Sequence, residues 1–200
     1  MKELLVATTN AGKFSEIMEV LDGLPFEFLF LKNLGIESGD FEEDGETFRE
    51  NAFKKAKYFH DKTGFLTLAE DSGIKIAALD GELGVKTRRW GAGEHASDQE
   101  WIDHFMRRMA DEKNRDASFV CSACVYGPGV EEYFEGETKG VITEALMAPI
   151  LTGLPLSSCF LPEGSKEVYA ALGAEKKNEI SHRGKAIGGV RSFLETKRFS

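Results

Sequence analysis

The chain has 200 residues, and its 25 Lys and Arg against 34 Asp and Glu leave a net charge of −9. With 42% hydrophobic and 10% aromatic residues it is no disordered chain, and its acidity disfavours long DNA or RNA, whose binding rests on neutralised phosphates. No apolar run approaches the roughly 20 residues that cross a bilayer, so no membrane association is expected, and one domain spanning 1–200 is the default at this length.

Residues 3–8 read as a short buried strand. Residues 12–22 follow as a helix, with Phe14, Ile17, Met18 and Leu21 at helical spacing. Residues 26–31 read as a second strand. An acidic loop from Gly39 to Gly45 leads to a helix of about 15 residues near Thr47, where Thr47-x-x-Glu50 forms a capping box. Its buried face is Phe48, Ala52, Ala56 and Phe59, and Asn51 and Lys55 share a neighbouring stripe. Residues 65–70 and 74–79 read as two strands around an Asp-Ser-Gly turn. A helix over 98–112 is apolar at Trp101, Ile102, Phe105 and Met109. Strands over 117–126 and 130–142 meet at Gly127-Pro128-Gly129 as a hairpin. Residues 145–165 read as irregular. A last helix starts at Ser181, with Ile187, Val190 and Leu194 on one face. This mixture of elements gives an α/β or α+β class with a mixed sheet. The three cysteines make no disulfide framework. Cys121 and Cys124 sit inside a strand rather than at a helix N-terminus, so they read as buried thiols in a reducing cytoplasm.

Four clusters carry candidate chemistry. Thr8-Thr9-Asn10-Ala11-Gly12-Lys13 joins the first strand to the first helix. It is either an ordinary capped helix start or a turn that aims backbone N–H groups at a phosphate. Glu42-Glu43-Asp44 is either a solvated acidic loop or a source of oxygen ligands for a hard cation. Ala69-Glu70-Asp71-Ser72-Gly73 is either a turn or a site where a carboxylate holds a metal or activates water. In Lys176-Lys177-Asn178-Glu179-Ile180-Ser181-His182-Arg183, Ser181 is a good N-cap. His182 and Arg183 nevertheless put donor groups where the helix dipole prefers an anion.

Together the four clusters resemble the inosine triphosphate pyrophosphatase family, which hydrolyses non-standard purine nucleoside triphosphates. The family's Thr-x-Asn-x-x-Lys is met by Thr8, Asn10 and Lys13. Its helix signature is met by Gly45, Thr47, Phe48, Glu50, Asn51, Ala52, Lys55 and Ala56, and its Asp-Ser-Gly core by Ala69 to Ile74. Ala78 to Gly81 and Gly84-Val85 follow in family order, and Lys177 through Ala186 matches the terminal motif. The resemblance implies an elongated mixed sheet flanked by helices, two lobes with a central cleft, and a homodimer. It implies Asp71 as general base and metal ligand, Glu42 or Glu43 as a second ligand for Mg²⁺, and water attack at the α-phosphorus. It implies that Thr8, Thr9, Asn10, Lys13 and Lys55 hold the triphosphate, and that Ser72, Lys177, His182 and Arg183 bind phosphate, sugar or base.

One family motif is broken. Where members carry Gly-Phe-Gly-Tyr/Trp-Asp-Pro, this chain has Gly153-Leu154-Pro155-Leu156-Ser157-Ser158. Leu154 stands in place of a base-stacking aromatic and Ser157 in place of an Asp that fixes the nucleoside. Lys86 and Arg88 add positive charge near the expected cleft, and Trp90 offers a ring from another wall or packs in the core. Two readings follow. One is a pyrophosphatase acting on ITP, dITP or XTP, or on a different modified nucleotide, through an altered base pocket. The other is a non-catalytic nucleotide-binding or regulatory protein.

Overall fold

The computed structural model describes residues 2–36, 41–93 and 96–197. Six strands form one mixed sheet, in the order β2-β1-β3-β4-β5-β6. β1 (Lys2–Val6) lies parallel to both β2 (Phe26–Phe30) and β3 (Leu66–Ile76). From β3 onward the pairing is antiparallel, through β4 (Asp116–Gly127), β5 (Val130–Ile142) and the short β6 (Phe160–Pro162). Helices make the parallel crossovers, α1 (Ala11–Leu21) from β1 to β2 and α2 (Phe48–Thr63) from β2 to β3. α3 (Asp98–Arg108), α4 (Ala174–Ile180) and α5 (His182–Thr196) complete the α/β fold.

Side-chain alternation along the strands divides the core. Leu4, Val6 and Leu68 pack with Ile17 and Leu21 of α1 and Ile187, Val190 and Leu194 of α5. Leu5, Ala7 and Ala69 point the other way, onto Ala52, Ala56 and Phe59 of α2. Further along β3, Ile74 and Ile76 join Trp101, Ile102, Phe105 and Met109, which confirms the apolar face expected of α3. The long strands β3 and β4 therefore carry two groups of cores end to end, and the expected cleft opens where these meet.

Four expectations are corrected. Residues 65–79 are not two strands around a turn: β3 is continuous, paired residue by residue with β4 from Thr67↔Tyr126 to Ile76↔Ala117, and 77–79 form a 3-10 turn. The turn-forming types at 71–73 lose to tertiary context, because this ladder satisfies their backbone groups and both faces are covered. Residues 145–165 are partly ordered, with a 3-10 turn at Pro155–Ser158 and the edge strand β6. α4 precedes the last helix, and α3 ends at Arg108 rather than 112. At the α2 start, Thr47 Oγ1 accepts the Glu50 N–H at 3.1 Å, but the Glu50 carboxylate accepts from Glu46 N–H rather than Thr47 N–H, so the capping box is closed one residue early. The expected loop residues Gly39 and Asp40 lie outside the described residues.

Candidate active site

The turn after β1 is built around Asn10. Its Oδ1 accepts the Lys13 N–H at 3.0 Å and caps α1, while its Nδ2 donates to the Gly153 carbonyl at 3.0 Å. Gly153 has φ +74°, and a Cβ there would lie 2.6 Å from Asn10 Oδ1, so only glycine fits. The Gly153 N–H in turn donates to Asp98 Oδ2 at 2.6 Å. One short chain of hydrogen bonds thus ties α1, the 153–158 segment and α3 around a cavity of about 660 Å³.

The middle of β3 supplies two carboxylates to opposite faces. Glu70 turns toward α1 and α5 and pairs with Lys13 Nζ at 2.7 Å, with Arg183 Nε 3.6 Å away. Burial opposes its charge, but Lys13 and Arg183 prevail and hold Glu70 well below the usual carboxylate range. Burial likewise opposes the charge of Lys13, and Glu70 raises its pKa. Asp71 turns toward α2, where Asn51 Nδ2 donates to its Oδ2 at 2.9 Å. Asn51 is fully buried, and its Oδ1 accepts the Gly45 N–H at 2.8 Å, so the amide can present only its NH₂ to Asp71. Burial pushes Asp71 up to about 6, aided by Glu43 and opposed by Lys13 and Lys55. Lys55, one turn beyond Asn51 on α2, donates to the Glu70 carbonyl at 3.3 Å and to Glu43. Burial opposes the Glu43 charge, but Lys55 lowers its pKa.

The third wall comes from α4 and α5. Ser181 Oγ caps α5 by accepting the Gly184 N–H at 2.9 Å, as expected. The misfit of cationic groups there is resolved inside the protein by Glu16 of α1, which pairs with Lys177 Nζ at 2.5 Å and with Arg183. Arg183 Nη2 also donates to Ser72 Oγ at 2.9 Å. Burial, then Arg183 beside it, keeps His182 neutral, and its ring stacks on Phe119 at 4.6 Å and 15°.

Thr8, Thr9, Asn10, Lys13, Glu42, Glu43, Lys55, Asp71, Ser72, Leu154, Ser157, Lys177, His182 and Arg183 all line this cavity. Lys86 is exposed, and the Arg88 side chain lies outside the described part of the structure. Trp90 packs edge-on against Trp101 at 6.2 Å, and it is Trp101 that stands on the cavity wall. Sequence reasoning missed Glu16, Phe119, Tyr169 and Trp101 as cavity residues. Trp101 gave a signal only as part of an apolar stripe, which in a helix reads as core. Asn51 lies on the stripe expected beside the buried face of α2, and its hold on Asp71 is visible only in the structure.

Among the described residues no three His, Cys, Asp or Glu side chains gather closely enough to hold an ion by themselves. The oxygen donors of Glu42, Glu43 and Asp71 still suit a hard cation that takes one or two carboxylates and completes its shell with water and substrate phosphates.

Residues 4–193 match the sequence profile of the Ham1 family. A dITP/XTP pyrophosphatase of Geobacter sulfurreducens is 38% identical over 197 residues, covering 97% of both chains. The solved HAM1 protein of Coxiella burnetii superposes with a TM-score of 0.82 at 32% identity, over 98% of this chain and 100% of that one. The Staphylococcus aureus Ham1 protein gives 0.80 at 30%, with 98% and 100% covered.

Proposed function

The chain belongs to the Ham1 family, and from that premise we propose that it hydrolyses non-standard purine nucleoside triphosphates such as dITP and XTP to the monophosphate and pyrophosphate. The observation that carries this reading is Asp71: a buried carboxylate at mid-strand, oriented by Asn51, facing a cavity with Lys13 and Lys55.

The chemistry asks for little beyond position and charge. Lys13, Lys55 and the N–H groups at the start of α1 neutralise the triphosphate. Asp71, in its ionised form, accepts a proton from water. The water oxygen bonds to the α-phosphorus, and the bond from that phosphorus to the bridging oxygen breaks. Pyrophosphate leaves with the bridging oxygen. Glu42, Glu43 and Asp71 would hold a divalent cation, Mg²⁺ by its preference for oxygen ligands and phosphates, which when bound supplies charge neutralisation. Glu16 and Glu70 store Lys177 and Arg183 as ion pairs, so these cations are in place before substrate arrives. The reading extends to a homodimer and to a reducing cytoplasm, the latter supported by three buried free thiols.

The test is Asp71→Asn. The variant should fold, because Asn fits the same space, and its turnover should drop by roughly a thousandfold or more with the base removed. Near-wild-type pyrophosphate release would remove Asp71 from the mechanism.

A further inference from the structure

The cavity has an end that phosphate chemistry leaves unused. Its wall there includes Val85, Trp101, Phe119, Leu154, Leu156 and Tyr169. Trp101 is only 2% exposed and belongs to the same core cluster as Leu156. Two neighbours fix its ring plane. Phe105 stacks on it at 5.5 Å and 13°, and Trp90 meets it edge-on at 6.2 Å.

One atom of this ring is unexplained. Trp101 Nε1 is buried and has no hydrogen-bond partner. An indole N–H only donates, and a buried donor left unmatched is costly enough that native proteins rarely keep one without a reason. His182 Nδ1, on the same cavity, is also buried and unmatched. Two ring nitrogens from separate elements, α3 and α5, therefore lack partners on residues that line the cavity.

Resting on the triphosphate reading above, we infer that Trp101 is a specificity-determining residue: its Nε1–H donates to a ring carbonyl oxygen of the purine, and its indole walls the base slot beside the aliphatic Leu154 and Leu156. A carbonyl is the group that separates 6-oxo and 2,6-dioxo purines from adenine, whose exocyclic amine would set donor against donor at this atom. A site built to pair a polar group discriminates against the analogue lacking it far more strongly than an apolar pocket does. Phe119 and Tyr169, stacked at 5.8 Å and 29°, line the same end as flat surfaces.

The test compares inosine triphosphate with purine riboside triphosphate, which lacks the 6-oxygen, on the wild type and on Trp101→Phe. Phe keeps a ring against Phe105 and removes the N–H together with the second ring of the indole; the loss of ring area falls on both substrates, so the ratio isolates the N–H. The wild type should prefer the inosine substrate, and in the variant the ratio of kcat/KM values should fall at least fivefold, mainly through loss on inosine triphosphate. An unchanged ratio in the variant, or no wild-type preference, overturns the inference while leaving the hydrolytic reading intact. A wild type that hydrolyses neither these nor any other triphosphate overturns the hydrolytic reading itself. If Trp101→Phe fails to fold, Trp90→Phe leaves Trp101 as the one tryptophan of the chain. Its fluorescence should then change on saturation with inosine triphosphate, and an unaltered spectrum would overturn the inference.

Discussion

At the scale of single residues, the site turns on how Asn51 and Asp71 divide their hydrogen bonds. Asn51 has no freedom to flip, since Gly45 N–H claims its oxygen. Asn51→Ala would leave one buried Asp71 oxygen unmatched and free the half-buried Gly45 N–H, costing about 1–3 kcal/mol for the buried group. Thermal unfolding should show the loss, with turnover reduced as well because Asp71 is no longer oriented. The Asp71 carboxyl, pushed up to about 6 by burial, gives a second expectation. A cation binds the ionised form, so binding must expel whatever proton Asp71 carries. Adding Mg²⁺ without nucleotide should release roughly half a proton per chain at pH 6 and almost none at pH 8, given a pKa near 6. Calorimetry in buffers of different ionisation enthalpy reads this directly. Proton release independent of pH, or unaltered in Asp71→Asn, would contradict the assignment.

Among elements, the clasp of α1 with α4 and α5 rests on Glu16 holding Lys177 and Arg183. Burial alone would raise the Glu16 pKa, but Arg183 and Lys177 pull it below its usual 4.5. A depressed folded pKa contributes stability above the unfolded value and loses it as pH falls further. The wild type should therefore lose stability below about pH 4.5, with Glu70 adding to the same trend. Glu16→Gln should be less stable at pH 7 by about 3–5 kcal/mol, the usual cost of leaving buried charges without a partner. Its stability should fall less steeply with acid, and chemical denaturation at pH 7 and pH 4 measures both. Equal slopes for the two proteins would mean that Glu16 is not the group that titrates.

These same elements show what was legible in the sequence. Amphipathic α2, α3 and α5 announce their buried faces through 3.6-residue spacing, and every apolar position named on them is buried. The candidate residues of all four clusters meet at one cavity because each cluster sits at a strand or helix end or, for 70–72, at mid-strand. The continuity of β3 was not legible. Asp, Ser and Gly are turn formers locally, and only the β4 ladder makes them a strand. Glu16 was hidden for a similar reason: its partners are more than 160 positions away, and no local pattern marks a carboxylate that answers distant cations.

For the whole molecule, the cavity is bounded by elements from both ends of the sheet, with Asn10, Gly153 and Asp98 joining them. A ligand spanning it stabilises the folded state by mass action, about 2.7 kcal/mol at a hundredfold excess over Kd. For a chain of this size that predicts a rise in Tm of about 5–10 °C with Mg²⁺ and a non-hydrolysable inosine triphosphate analogue together. The same analogue should do little for Lys13→Ala, which lacks one of the cations proposed to hold the triphosphate. Despite the net charge of −9, the cavity lining carries no net negative charge, because Lys13, Lys55, Lys177 and Arg183 balance Glu16, Glu42, Glu43 and Asp71 there, and a bound divalent cation would make it attractive to an anionic substrate.

The most direct measurement is pyrophosphate release from a panel of ITP, dITP, XTP and the standard nucleoside triphosphates, each with and without Mg²⁺. The account predicts metal-dependent release of one pyrophosphate per monophosphate, with keto purines outside the standard set preferred over ATP. Release of orthophosphate instead, or no turnover of any triphosphate by a folded protein that binds them, would contradict it.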